Sequence, residues 1–157
     1  MELDQIYTEI ITENSRSKRN KRELENPTAV IKGVNPSCGD EISLQIREKD
    51  GIIEDASFTG IGCAISQASA SIMIDLIKGK TKEEAMHLAE TFLSMIKEGK
   101  LDEEAQDELE DAAAFQNISK LPARVKCAVL AWHTLEEAIQ SGGNCPGDDS
   151  ASCKTRI

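Results

Sequence analysis

The spacing of apolar residues changes character once along this chain, and that change narrows the folds open to it. Ile42, Leu44 and Ile46 alternate with Ser43, Gln45 and Arg47, the period of two that lays one face of a strand on a core. Lys49-Asp50-Gly51 is a hairpin signal, and residues 52–59 return as the partner strand. Residues 27–34 are rich in β-branched side chains and supply a third strand, whose two faces the pattern does not assign. Beyond Gly62 the spacing is helical. Ile65, Ala68, Ile72 and Leu76 form one stripe, closed by Lys78 and Gly79. Thr81 and Glu84 have capping-box spacing and open a second helix, along which Ala85, Leu88, Ala89, Phe92 and Ile96 run to Gly99. Asp102 caps a third, with Ala105, Leu109, Ala112 and Gln116 on one side. Pro122 suits the first turn of a fourth, with Val125, Ala128, Val129, Trp132, Leu135 and Ile139 as its buried stripe. Ahead of the strands, Leu3, Ile6, Tyr7, Ile10 and Ile11 predict a helix of about three turns ending near Asn14. Strands first and helices afterwards is the α+β pattern: a small three-stranded antiparallel sheet packed with an N-terminal helix and about four later helices.

The 157 residues favour one domain, read as residues 1–141, with a core that needs no disulfides. The remainder, 142–157, is rich in Gly, Ser and Asp and is expected to be a flexible, disordered tail. No internal repeat occurs. Residues 98–111 carry eight acidic side chains and read as a solvated helix face. A net charge of −10 argues against a nucleic-acid partner. Arg16, Lys18, Arg19, Lys21 and Arg22 form a local basic run, read as a solvated loop or, more sharply, as a docking patch for an acidic partner. No apolar run reaches membrane-spanning length, so no membrane association is expected. Met1-Glu2-Leu3-Asp4 lacks the apolar core of a secretory signal, which makes the cytoplasm the expected location. Thiols stay reduced there, and five cysteines read as metal-binding or reactive before they read as disulfides.

Three of those cysteines and one aspartate form the candidate site. Cys38 and Asp40 share the turn-rich loop Asn35-Pro36-Ser37-Cys38-Gly39-Asp40, where a buried inert cysteine is out of place. Cys63 follows Gly60-Ile61-Gly62 at an expected helix start, where unpaired N–H groups stabilise a thiolate. Cys127 falls about 140° from Trp132 on its helix, outside the main apolar stripe, on a flank shared with Arg124, Ala131 and Thr134. Arg124 is thereby a candidate donor to a thiolate or carboxylate. If these donors converge, three thiolates and a carboxylate suit zinc, copper(I) or sulfur-bound iron. Four protein donors leave zinc no open position for a hydrolytic water. Such a site protects a thiolate and can hand it over when a partner offers another ligand. The same donors suit an iron–sulfur cluster. No His-Glu-x-x-His, phosphate-binding glycine loop or Pro-Cys-x-x-Cys motif occurs. His87 and His133 read as structural, and Cys145 and Cys153 in the tail are a weak metal or redox signal.

Cys38-Gly39-Asp40, Gly51-Ile52-Ile53-Glu54-Asp55-Ala56, Gly62-Cys63-Ala64-Ile65-Ser66 and Leu121-Pro122 with Lys126-Cys127 together resemble the U-type iron–sulfur cluster assembly proteins, the IscU and NifU N-terminal fold. The similarity covers roughly residues 1–141. IscU-type scaffolds carry a histidine just before the last cysteine, where this chain has Lys126. Their Leu-Pro-Pro-Val-Lys becomes Leu121-Pro122-Ala123-Arg124-Val125-Lys126, one residue longer. With the extended acidic region between Cys63 and Cys127, these departures resemble the SufU branch of Gram-positive bacteria. The resemblance implies zinc held by Cys38, Asp40, Cys63 and Cys127. It implies a pyridoxal-phosphate (PLP)-dependent cysteine desulfurase of the SufS type as partner, and downstream iron–sulfur assembly proteins. It also implies Cys38 as the sulfurtransferase thiol that accepts persulfide sulfur. The alternative is a scaffold that assembles a 2Fe-2S cluster on the same ligands and passes it on. Arg124 is added as a residue behind the ligands or at the docking surface.

Overall fold

A computed structural model describes residues 3–140 and 154–156 of the chain, with side chains from Thr8 to Gln140. The elements follow the order α1 (Leu3–Arg16), β1 (Ala29–Asn35), β2 (Asp40–Lys49), β3 (Ile52–Ile61), α2 (Ala64–Ile77), α3 (Lys82–Glu98), α4 (Glu103–Leu109), a 3-10 segment (Glu110–Lys120), α5 (Pro122–Gln140) and β4 (Lys154–Arg156). This is the expected α+β arrangement. β1, β2 and β3 pair antiparallel in sequence order. Asp50 and Gly51 both adopt positive φ, 56° and 79°, so the β2–β3 connection is the tight mirror-image turn that Asp-Gly favours. β4 adds a parallel strand to the outer edge of β1, opposite Lys32, Gly33 and Val34. The rest of the tail from Gly142 onward lies outside the described residues, Cys145 and Cys153 with it.

The inward faces are now assigned. Ala29, Ile31, Gly33 and Asn35 of β1 point to the core, as do Asp40, Ile42, Leu44 and Ile46 of β2. A carboxylate and an amide thus occupy the last core-facing positions at the hairpin end of both strands. α5 lies at the centre, packed against β1, α2 and α3. Its buried surface is wider than the expected stripe: Cys127, Ala131 and Thr134 are all sealed, at 0–1% exposure, on a second face turned to the sheet. Gly33 makes that approach possible, since a Cβ there would run into the Thr134 hydroxyl and come within 3.2 Å of Leu130.

The helix expected from Asp102 to Gln116 is interrupted. α4 stops at Leu109, Glu110 takes φ 49°, and a 3-10 segment follows. The segment that follows buries Ala112, Ala113, Ala114 and Phe115 and packs against α1, α2, α3 and α5, tertiary contacts that override local propensity. The acidic side chains of 98–111 face solvent as expected, except that Glu108 is half-buried against His87 at 2.7 Å.

The basic run is drawn into the fold. Arg19 pairs with Asp75. Arg22 grips Asp55 with both contacts at 3.0 Å, and Lys78 reaches the same carboxylate at 3.5 Å. Buried Asn20 donates to Asp75 and to Ser71 of α2. Burial pushes the Asp55 and Asp75 carboxyls up. Hydrogen bonds from the Ala56 N–H and Arg22, and from Arg19 and Asn20, outweigh it and hold both below the usual carboxylate range. A group lowered in the folded state adds stability above its unfolded value, about 3.9, and loses it as pH falls through the folded value. The expected result is a steepening drop in melting temperature below roughly pH 4. Arg22→Gln should flatten that drop; an unchanged acid limb would show that the pair contributes nothing. No helix among the described residues is long and apolar enough to cross a membrane.

Candidate metal centre

Three elements carry the candidate donors to one end of the molecule. Asn35 and Asp40 are the closing pair of the β1–β2 hairpin, and the four residues between them form its tip. The Cys38 N–H donates to the Asn35 carbonyl at 3.3 Å, and Gly39 takes φ 72°, which folds the tip back. Cys38 is therefore held at the surface while Asp40 is turned inward, at 2% exposure. Cys63 is the N-cap residue of α2, and its backbone N–H donates to Asp40 Oδ1 at 3.0 Å. Gly62 permits this: a Cβ there would stand 3.0 Å from the same Oδ1 and closer still to the Ser66 hydroxyl. Cys127 rises from the second turn of α5, fully buried.

Among the described residues, one cluster has metal-site spacing: Cys38 Sγ, a carboxylate oxygen of Asp40 and Cys127 Sγ lie within 4.8 Å of one another. Cys127 donates to Cys38 Sγ at 3.3 Å. Cys63 lies outside that 4.8 Å group and is tied to it through its backbone N–H, which donates to Asp40 Oδ1. Burial, then hydrogen bonds to Cys38, Cys63 and Asp40, push the Cys127 thiol well above the ordinary thiol range. Three of the four predicted donors, Cys38, Asp40 and Cys127, thus come together, with Cys63 joined to Asp40 through its backbone N–H.

Arg124 stands apart. It is exposed on the first turn of α5, and among the described residues its guanidinium has no ion-pair partner. Leu121, at 53%, and Ile61, at 68%, are exposed two residues before Ala123 and Cys63, and the Ala123 carbonyl lies 3.9 Å from Cys38 Sγ. Asn35 is the residue that sequence reasoning passed over. Its side chain is fully buried, donates to Asp40 Oδ2 at 3.3 Å and points its Nδ2 at Cys127 Sγ at 3.9 Å. It was legible only as a turn residue before Pro36.

The donor set suits a soft or borderline dication. A buried carboxylate beside three thiols has no cationic side chain to balance it among the described ion pairs, and a metal ion supplies that charge. Tetrahedral zinc with Zn–S bonds of about 2.3 Å sets its sulfurs roughly 3.8 Å apart, a half-ångström opening of the Cys38–Cys127 contact.

A layered sheet-and-helix domain that gathers cysteines from a hairpin tip, a helix start and a long central helix is the mark of a known class. Residues 6–128 match the NifU-like N-terminal domain, and the chain belongs to that family. The zinc-dependent sulfurtransferase SufU of Bacillus subtilis is 43% identical over 144 residues, spanning 90% of this chain and 96% of that protein. An iron–sulfur cluster assembly scaffold protein IscU of Thermotoga maritima is 41% identical over 140 residues, 89% of this chain and 96% of its own length. A crystal structure of a cluster assembly scaffold protein assigned to the SUF system of Fervidobacterium islandicum superposes with TM-score 0.79 at 38% identity. It covers 88% of this chain and 99% of that one. A NifU-like N-terminal domain from Brucella abortus gives 0.77 at 25% identity, with 88% and 94% covered.

Proposed function

We propose that this protein is a zinc-dependent sulfur acceptor in iron–sulfur cluster biogenesis, with Cys38, Asp40, Cys63 and Cys127 as zinc ligands and a PLP-dependent cysteine desulfurase of the SufS type as its donor. The observation that carries the reading is the asymmetry of the four donors. Asp40 and Cys127 are buried and hydrogen-bonded, whereas Cys38 sits exposed on a hairpin tip with only thiol and carbonyl neighbours. One donor is built to move and the others to stay. The identity to a relative named as a zinc-dependent sulfurtransferase supports the same reading.

Zinc, when bound, supplies the positive charge that keeps the clustered thiols as thiolates at neutral pH. The chain's own residues do the rest. The exposed Ile61 and Leu121, close in sequence to Cys63 and Ala123, offer apolar surface for docking the donor. The Cys38 thiolate attacks the outer sulfur of the donor's cysteine persulfide. A Cys38 S–S bond forms, the donor's S–S bond breaks, and the donor cysteine leaves as a thiolate. No electrons enter or leave overall. Asp40 and Cys127 hold their places through the exchange. The test is zinc-loaded protein added to a cysteine desulfurase turning over cysteine. Faster alanine release, with one extra sulfur mass on the Cys38 peptide, is expected; no acceleration would reject the reading.

The second reading, a scaffold that assembles a 2Fe-2S cluster and passes it to apo-proteins, is favoured by relatives of nearly equal identity named as IscU scaffolds. Anaerobic reconstitution followed by cluster transfer to an apo-ferredoxin separates the two.

A further inference from the structure

Asn35 has a property that packing does not explain. Its side chain is fully buried, yet its Oδ1 has no hydrogen-bond partner among the described residues. Buried polar atoms are ordinarily paired, and an orphaned acceptor in the protein interior is a standing cost. Its Nδ2, by contrast, is spent twice, on Asp40 Oδ2 at 3.3 Å and on Cys127 Sγ at 3.9 Å. The amide orientation is dictated by these neighbours, because the flipped rotamer would set a carbonyl oxygen against a carboxylate and a sulfur. Only a neutral double donor satisfies both: aspartate at this position would add a third acceptor, and an aliphatic side chain would leave both partners bare.

The position is equally specific. Asn35 ends β1 and is the register partner of Asp40, so it belongs to the paired strands rather than to the exposed tip that bears Cys38. Asp40 is thereby held from both sides, Oδ1 by the Cys63 N–H and Oδ2 by the Asn35 amide. The same amide ties β2 to α5, the two elements that supply Asp40 and Cys127.

We propose that Asn35 is a positioning residue that locks Asp40 and Cys127 as fixed ligands, so that the metal is retained when Cys38 lets go. This rests on the zinc reading above and deepens it. Hydrogen bonds to metal ligands from outside the coordination sphere typically set 10- to 100-fold in affinity. Without Asn35, the carboxylate is free to swing and the buried thiolate loses its donor. Release of Cys38 then becomes loss of the ion.

The test compares wild type, Asn35→Ala and the near-isosteric Asn35→Asp, which keeps the side-chain volume and removes the donors. Zinc affinity is read by competition with a chromophoric chelator, geometry by the ligand-field absorption of the cobalt-substituted proteins, and folding by the melting of the zinc-free forms. Both variants are expected to bind zinc about 10- to 100-fold more weakly and to shift the cobalt bands. Removing Cys38 by Cys38→Ala should leave zinc on the protein with Asn35 intact and strip it from the Asn35 variants. If Asn35→Ala fails to fold, Asn35→Asp carries the measurement. Wild-type affinity and unshifted bands in Asn35→Asp would overturn the proposal while leaving the zinc reading intact. A wild type that takes up no zinc would overturn the reading itself, and this inference with it.

Discussion

Cys38→Ala is expected to give a folded protein that leaves a cysteine desulfurase at its unassisted rate. The two halves of that result come from the same geometry. Cys38 sits exposed on a four-residue hairpin tip, and its sulfur contacts only the Cys127 thiol at 3.3 Å and the Ala123 carbonyl at 3.9 Å. Truncating an exposed side chain with weak contacts changes stability within about 0.5 kcal/mol. Chemistry is another matter, because the nucleophile itself is gone. Cys127 is buried and Cys63 half-buried, so Cys38 is the one thiol of the three that stands exposed to a bulky donor persulfide. Stimulated alanine release should therefore fall to background, not to an intermediate level. A variant that still accelerates the desulfurase would place the acceptor elsewhere.

The largest loss of stability is expected from Trp132→Ala. Trp132 is fully buried on the central helix, stacked on Phe92 with centroids 4.2 Å apart and planes at 8°. Phe92 in turn meets Phe115 edge-on at 5.9 Å. The indole Nε1 donates to Ser69 Oγ at 2.9 Å, and that hydroxyl donates to the Ala128 carbonyl at 2.6 Å. Removing the ring opens a cavity among α3, α5 and the 3-10 segment and strips Ser69 of its donor. A change of this type costs about 3–5 kcal/mol, a large part of the 5–15 kcal/mol that a domain of this size commands. Urea unfolding measures it directly. Since Cys127 lies on the same helix, zinc affinity should fall in parallel. A loss under about 1 kcal/mol would mean that the core closes around the gap.

Much of this was readable from the chain, and the exceptions have causes. The Lys49-Asp50-Gly51 turn, the Thr81–Glu84 capping box and the Gly99 stop form as expected because each is decided by residues within a few positions. The break at Glu110 was hidden because no Pro or Gly marks it, and the segment after it packs against helices distant in sequence. The same applies to α5. Its Trp132 stripe was visible at helical spacing, but the burial of Cys127, Ala131 and Thr134 depends on Gly33, a position almost a hundred residues earlier that carries no Cβ. The basic run of residues 16–22 showed its charge but not its fate, since Asp55 and Asp75 come to Arg22 and Arg19 only through the tertiary fold.

At the site, residue type and loop context pointed to the cysteines, the resemblance joined Asp40 to them as a ligand set, and the fold brings Cys38, Asp40 and Cys127 within 4.8 Å. Asn35 was not visible in this way. An asparagine before a proline is an ordinary turn signal, and its amide is distinguished only by the carboxylate and sulfur brought against it. The alternation of β2 held the missing clue. Extended back two residues from Ile42, it assigns Asp40 to the core face, where an unpaired carboxylate has no business without a counter-charge.

The central claim is that four donors hold one zinc ion and that Cys38 alone is released to a partner. Mass-spectrometric mapping of thiol alkylation on the zinc-loaded protein, with and without the desulfurase, addresses it most directly. The account predicts that Cys63 and Cys127 remain protected in both samples, while Cys38 reacts only when the desulfurase is present. Protection of Cys38 throughout, or modification of all three cysteines together, would contradict it.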